Sequence, residues 1–359
     1  LAAYLVGFAG IITVTFILSF YAIISGWMIA HFFDGFAQIL ELNAISNWLV
    51  TDAPIRSSLF VILFILFTVN IISAGIENGI EKWASRLMPS LIVLLILLIF
   101  YVISLPGAME GLRVYLIPDF SRLSDPTLLV DAMGQAFFSL SLGVGTMLIY
   151  GSYISDKENL PVIGGLVALL DIGIAVIAGL LILPAMYVAL SNGVEIFDSN
   201  GELIAGPGLI VSVLPTLFDS MGTIGIAVSL AFFLLMTIAS LTSSISMLEV
   251  PVSYAIEYHG INRKRAAAGI GAIVTFISLL IVFNFDLLFD QVVSFTTESS
   301  QPLLGLAFCI FAAWVWKRDK VLKEIEKGSP NAEKGIFWRI WPFYVKFICP
   351  VAILVVYFQ

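Results

Sequence analysis

Three groups of polar residues interrupt long apolar runs of this chain. Gln135, Ser139 and Ser141 are followed closely by Gly143 and Gly145. Asp171 stands alone in a hydrophobic stretch, and Ser240, Thr242, Ser243, Ser244 and Ser246 put five hydroxyls into seven residues. Polar groups in such surroundings are costly and are by default candidates for function. Gln135 and Ser139 are four apart and share one helical face. Two glycines two residues apart weaken a helix where no turn is expected. They fit either close packing through small residues or an unwound midpoint whose half-helix ends bind ions and carboxylates. Asp171 needs a cation, a donor network or a proton. The one base at comparable depth is Lys346, so the carboxylate reads as a cation ligand or a proton carrier. The hydroxyls either bond back to carbonyls of their own helix or line a cavity. Hard cations take oxygen ligands, and hydroxyls with carbonyls and one carboxylate would suit Na⁺. Two further acids are weaker candidates. Glu249 lies near a helix end where it can reach water. Glu298 sits among Thr296, Thr297, Ser299 and Ser300, which read as a packing seam or a gate.

The elements that must hold these groups are membrane helices. Of 359 residues, 60% are hydrophobic and 12% are charged. That charged share is about half of what soluble domains carry, and mean hydropathy is +1.05. A helix crosses a bilayer with about 20 apolar residues. Nine stretches qualify, at roughly 4–33, 57–76, 88–106, 130–152, 162–187, 223–256, 266–285, 288–316 and 337–358. Runs such as Leu91-Ile92-Val93-Leu94-Leu95 do not alternate, which argues against a β-barrel. The prediction is an all-α polytopic membrane protein with nine transmembrane helices in a single domain, 1–359. Within the loop 188–222, Pro207 to Phe218 is apolar enough for a short helix that dips toward the bundle.

Charge gives the orientation. The loops at 77–87, 153–161, 257–265 and 317–336 hold most of the bases, among them Lys82, Arg86, Lys157, Arg263, Lys264, Arg265 and the run from Lys317 to Lys334. The opposite loops hold only Arg56, Arg113 and Arg122. The positive-inside rule puts the basic loops in the cytoplasm of a multi-pass plasma-membrane protein. A net charge of −8 argues against nucleic-acid partners. Cys309 and Cys349 read as buried apolar residues. No motif with metal-ligand spacing occurs. An intramembrane aspartyl protease needs two buried Asp sharing a proton, and Asp171 is the only Asp deep in a helix. A serine site would need a His nearby, but His31 and His259 belong to opposite faces.

At these clusters the sequence resembles the neurotransmitter:sodium symporter family, in its bacterial branch with the leucine-transporter-type fold. Gly134 to Gly145 (GQAFFSLSLGVG) resembles the family's broken sixth helix, and Ala239 to Ser244 (ASLTSS) its eighth. Leu169-Leu170-Asp171, followed by Ala178-Gly179, is similar to its seventh. Tyr21 to Trp27 (YAIISGW) is similar to its third. The resemblance runs along essentially the whole chain and implies an inverted-repeat fold in which these nine helices are helices 3–11. It also implies that the family's first two helices are absent, so the chain, which opens at Leu1, reads as N-terminally truncated. Alone it would not be expected to transport.

The resemblance further implies roles. The substrate site would comprise Ile17, Tyr21, Phe138, Ser141, Val144, Ser243 and Met247, with Tyr21 donating to the substrate carboxylate and Phe138 closing the pocket. One sodium would be held by Ser139 and Asp171, the other by the Ala239 carbonyl, Thr242 and Ser243. The chloride-site region would be Gln135, Asp171 and Ala175. This chain departs from the family pattern at several points. Asp171 stands where the best-known relatives have Asn, and Ala175 where chloride-dependent ones have Ser, so Asp171 would supply the negative charge and chloride would not be required. Val144 replaces a bulky aromatic and would enlarge the pocket. Asp290 does not align cleanly with the acid of the outer gate. The implied activity is sodium-coupled symport of a neutral, hydrophobic or aromatic amino acid by alternating access, by a possible homodimer. The competing readings are a proton-coupled relative, with Asp171 as carrier, and a non-transporting remnant.

Overall fold

The computed structural model describes residues 2–358 except Asp52, Asp119, Leu123, Ser124, Ser199, Asn200 and Glu202; Leu1 thus lies outside the described residues. Apart from one isolated bridge between Phe197 and Leu203, the regular structure is helical. In chain order the helices are α1 (Ala2–Ile39), α2 (Asn43–Val50), α3 (Pro54–Ser73), α4 (Lys82–Ile103), α5 (Ala108–Leu116), α6 (Pro126–Ser139), α7 (Thr146–Ser152), α8 (Leu160–Ser191) and the single turn α9 (Gly206–Gly208). They continue with α10 (Leu214–Ser220), α11 (Thr223–His259), α12 (Arg263–Phe283), α13 (Phe285–Ser294), α14 (Gln301–Ile310), α15 (Arg318–Gly328), α16 (Ile336–Phe343) and α17 (Cys349–Tyr357).

Helix starts follow local side-chain chemistry. The Asn159 side chain accepts from the Val162 amide at 3.2 Å to open α8, and Asn262 accepts from Lys264 at 3.0 Å to open α12. Asp125 accepts from Thr127 at 3.0 Å and Pro126 follows it, which starts α6. These side chains satisfy amides that have no partner inside the helix. Gly260, at φ 65, ends α11 in the left-handed region, where glycine has no steric penalty.

Among the described residues, eight helical segments are long and apolar enough to cross a membrane. The nine-span expectation differs at one place. The stretch 130–152 is not one helix, because it is broken into α6 and α7 and neither half is long enough alone. The short apolar helix expected in the loop 188–222 is present. Val213, Leu214, Leu217 and Phe218 are buried, and Phe218 lies against Phe232 and Phe233 of α11 with ring centroids 5.5 and 6.2 Å apart.

Two apolar clusters share the bundle. One joins α1, α3, α11 and α12; the other joins α4, α8, α10 and α11. α1 runs along α11, and together they form the spine. In lipid, helices associate through close packing and interhelical hydrogen bonds rather than through the hydrophobic effect. Both devices are present. A side chain on Gly26 would press against the Phe60 backbone of α3 at 3.1 Å. Trp27 Nε1 donates to Ser57 at 3.0 Å, Ser278 Oγ to the Ser19 carbonyl at 2.8 Å, and the Thr68 and Ser244 hydroxyls pair at 2.9 Å. Gly26 and Trp27 of the YAIISGW stretch therefore serve packing, which leaves Tyr21 free for the site.

Candidate transport site

The break between α6 and α7 covers residues 140–145. Ser141 (φ 51), Gly143 (φ 85) and Gly145 (φ 84) are all in the left-handed region. That conformation costs an L-residue roughly 1–2 kcal/mol, and glycine little. The two glycines thus mark an unwound midpoint. Gly143 is fixed a second way, because a Cβ there would run into the Gln301 carbonyl of α14. The freed groups at the end of α6 are partly satisfied. The Phe137 carbonyl accepts from the Leu142 amide at 3.0 Å and from Gln301 Nε2 at 3.0 Å. The carbonyl end of α6, with its partial negative charge, and the amide end of α7, with its partial positive charge, lie six residues apart.

Beside this break is a cavity of about 360 Å³. α1 contributes Ile17 and Tyr21 to its wall; α6 contributes Gln135, Phe138 and Ser139; the break contributes Ser141 and Val144. Asp171 comes from α8, Ser243, Ser246 and Met247 from α11, and Gln301 from α14. Ser139 Oγ lies 2.8 Å from both Asp171 carboxylate oxygens. A hydroxyl has one hydrogen, so it serves one oxygen at a time. Among the described residues no Lys or Arg lines the cavity. The carboxylate therefore keeps acceptor capacity for a cation. Tyr21 and Ser243 line the same cavity, so Tyr21 brings a phenol hydroxyl to its wall.

All seven residues expected at the substrate site line this one cavity, together with Ser139, Asp171 and Gln135. Ala239, Thr242 and Ala175 do not. Ala175 lies one turn beyond Asp171 and is exposed. The second expected sodium set has its own geometry, with Thr242 Oγ1 donating to the Ala239 carbonyl at 2.8 Å. Those two oxygens are close enough to touch one ion. The α11 hydroxyls divide between the two sequence readings. Ser240, Thr242, Ser244 and Ser246 each bond back to a carbonyl three residues earlier, while Ser243 and Ser246 also face the cavity.

Three features differ from the expectation or extend it. Gln301 was not singled out in the sequence, yet it bonds α6, blocks Gly143 and lines the cavity. Its local signal is slight: it follows a π-helical turn, Phe295–Ser300, and such turns cluster at functional sites. Glu249 does not reach water. It is fully buried, accepts from Tyr153 at 2.6 Å and Ser253 at 2.9 Å, and pairs with Arg263 at 2.5 Å. The patch around Glu298 divides. Ser300 pairs with Thr13 of α1 and Thr296 is buried, which is a packing seam. Glu298 instead faces a second cavity of about 800 Å³, with Asp131. Phe138 and Gln135 line both cavities and so stand between them.

Residues 49–359 match the sodium:neurotransmitter symporter family. The chain is 30% identical to an uncharacterized sodium-dependent transporter, YhdH, of Bacillus subtilis, over 99% of its own length and 79% of the relative's. An uncharacterized sodium-dependent transporter of Haemophilus influenzae is 29% identical, over 98% and 78%. The crystal structure of MhsT in complex with L-phenylalanine superposes with a TM-score of 0.83 at 34% identity, covering 99% of this chain and 80% of that one. The chain belongs to the sodium:neurotransmitter symporter family: it is a multi-pass, sodium-dependent membrane transporter and not an enzyme.

Proposed function

We propose that the protein carries a neutral, hydrophobic or aromatic amino acid across the membrane together with Na⁺, by alternating access. The observation that carries this reading is the single cavity that gathers Ile17, Tyr21, Phe138, Ser141, Val144, Ser243 and Met247 around the Ser139–Asp171 pair. Its size suits one amino acid. Ile17, Val144 and Met247 give it apolar walls, and Tyr21 supplies a donor for a carboxylate. The bound L-phenylalanine of MhsT supports the same substrate class.

The coupling follows from electrostatics. A substrate carboxylate in a low-dielectric site needs a cation beside it. A sodium ion at Asp171 and Ser139 is itself stabilised by that carboxylate. Each ligand lowers the cost of desolvating the other, so their affinities rise reciprocally. The Ala239 carbonyl, Thr242 and Ser243 contribute oxygens for a second ion. Asp171 carries the fixed negative charge at the site, so chloride is not required. In this reading the broken pair α6–α7 makes a ninth crossing, the nine crossings are the family's helices 3–11, and residues 1–359 belong to one transporter domain. The basic loops face the cytoplasm of the plasma membrane, and pairing into a homodimer is compatible with the fold.

The test is uptake of labelled L-phenylalanine and L-leucine by vesicles that carry the whole-gene product. An imposed sodium gradient drives accumulation and a pH gradient without sodium does not. Accumulation that follows the pH gradient alone replaces Na⁺ with a proton on Asp171.

A further inference from the structure

A third cavity, of about 360 Å³, lies far from the transport site, where the last two membrane spans meet the basic connecting segment. Its polar lining is one-signed. Arg318 comes from the start of α15, Arg339 from α16, and Lys346 from the turn between α16 and α17. Among the described residues no Asp or Glu lines it. Among the described residues no ion pair uses any of these three bases. Instead two of them rest on aromatic faces. Lys346 Nζ lies 4.3 Å from the Trp314 ring centroid, and the Arg318 guanidinium 5.5 Å from that of Trp338. The remaining wall is aromatic and aliphatic: Trp316, Trp341, Phe343 and Phe347 among others.

Three cations around one cavity repel one another, and cation–π contacts offset only part of that cost. An anion placed between them would remove the repulsion and supply the missing partners. Lys346 sharpens the point. It is about ten residues inside its span, or about 15 Å from the start of that helix at 1.5 Å per residue. A lysine at that depth usually extends toward the interface, and here its ammonium rests over the Trp314 ring while the side chain lines the cavity.

We infer that this cavity binds the phosphate headgroup of an anionic phospholipid. The phosphate oxygens face Arg318, Arg339 and Lys346, and the acyl chains run over Phe343 and Phe347, which are 57% and 46% exposed. Tryptophan at the membrane–water boundary and a basic pocket between helix ends are the two features that such lipid sites combine. The apolar wall distinguishes a lipid from a free phosphate, which has nothing to place there.

Native mass spectrometry of the full chain in detergent tests the inference. Phosphatidylglycerol should bind at least tenfold more tightly than phosphatidylcholine. The double variant Arg318→Gln and Arg339→Gln should abolish that preference, as should Lys346→Met. Lys320→Gln with Lys323→Gln, outside the pocket, should leave it intact. Equal binding of the two lipids, or a preference that survives the pocket variants, overturns the proposal. Full displacement of phosphatidylglycerol by equimolar inorganic phosphate or glycerol phosphate overturns the lipid assignment. A second measurement needs no variant. Brominated phosphatidylglycerol should quench the protein's tryptophan fluorescence more strongly than brominated phosphatidylcholine, and equal quenching rejects the site.

Discussion

Asp171 and Glu249 are two intramembrane carboxylates with opposite circumstances. Asp171 has one neutral hydroxyl donor, Ser139, in a cavity without bases. Glu249 has three partners and no exposure. The first is free to exchange a ligand and the second is committed to structure. Asp171→Asn should therefore weaken sodium at least tenfold, about 1.4 kcal/mol, read as a shift in the Na⁺ concentration that half-saturates amino-acid binding. An unshifted titration would remove Asp171 from the ion site. Glu249→Ala should act on stability instead, because it leaves the Arg263 guanidinium without its carboxylate. Breaking a buried pair from one side costs about 3–5 kcal/mol, so the melting temperature should fall sharply. Glu249→Gln, which keeps hydrogen-bonding capacity, should fall less.

The decisive element is the α6–α7 break. Its two glycines, two residues apart among hydroxyls, were legible in the sequence as a place where a helix weakens. The hold exerted on it by α14 was not. Gln301 reaches Phe137 across 164 positions, and no local pattern encodes a contact that depends on how distant helices pack. The same reason hid the burial of Glu249, whose place near a helix end suggested water until Arg263 of the next helix closed over it. Gly143→Ala tests the break directly. The substitution adds the left-handed penalty of about 1–2 kcal/mol to a collision with the Gln301 carbonyl. Sodium-dependent binding should be lost. Gly134→Ala, where a Cβ would meet nothing within 4 Å, should bind normally and melt no lower than the unchanged protein. Equal behaviour of the two variants would mean that the break has no special geometry.

At the scale of the molecule, the all-helical, multi-pass architecture was readable because bilayer thickness constrains it independently of side-chain packing. What composition could not supply was convergence. The cavity draws on α1, α6, α8, α11 and α14, and the resemblance to a known family, rather than spacing, indicated which faces meet. An Asp171 carboxylate that takes the place of chloride, as proposed, has a whole-protein consequence: replacing chloride by gluconate should leave uptake unchanged, and uptake that collapses would show that the carboxylate does not stand in for the anion. The unwound stretch has a consequence of another kind. A continuous helix protects its amides from solvent deuterium, and a gap in one does not. Residues 143–145 should therefore exchange in the free protein far faster than α11 beside them, and slow when amino acid and Na⁺ occupy the cavity. The broken helix is in effect a clock set into the centre of the membrane, and its rate reports occupancy without any label.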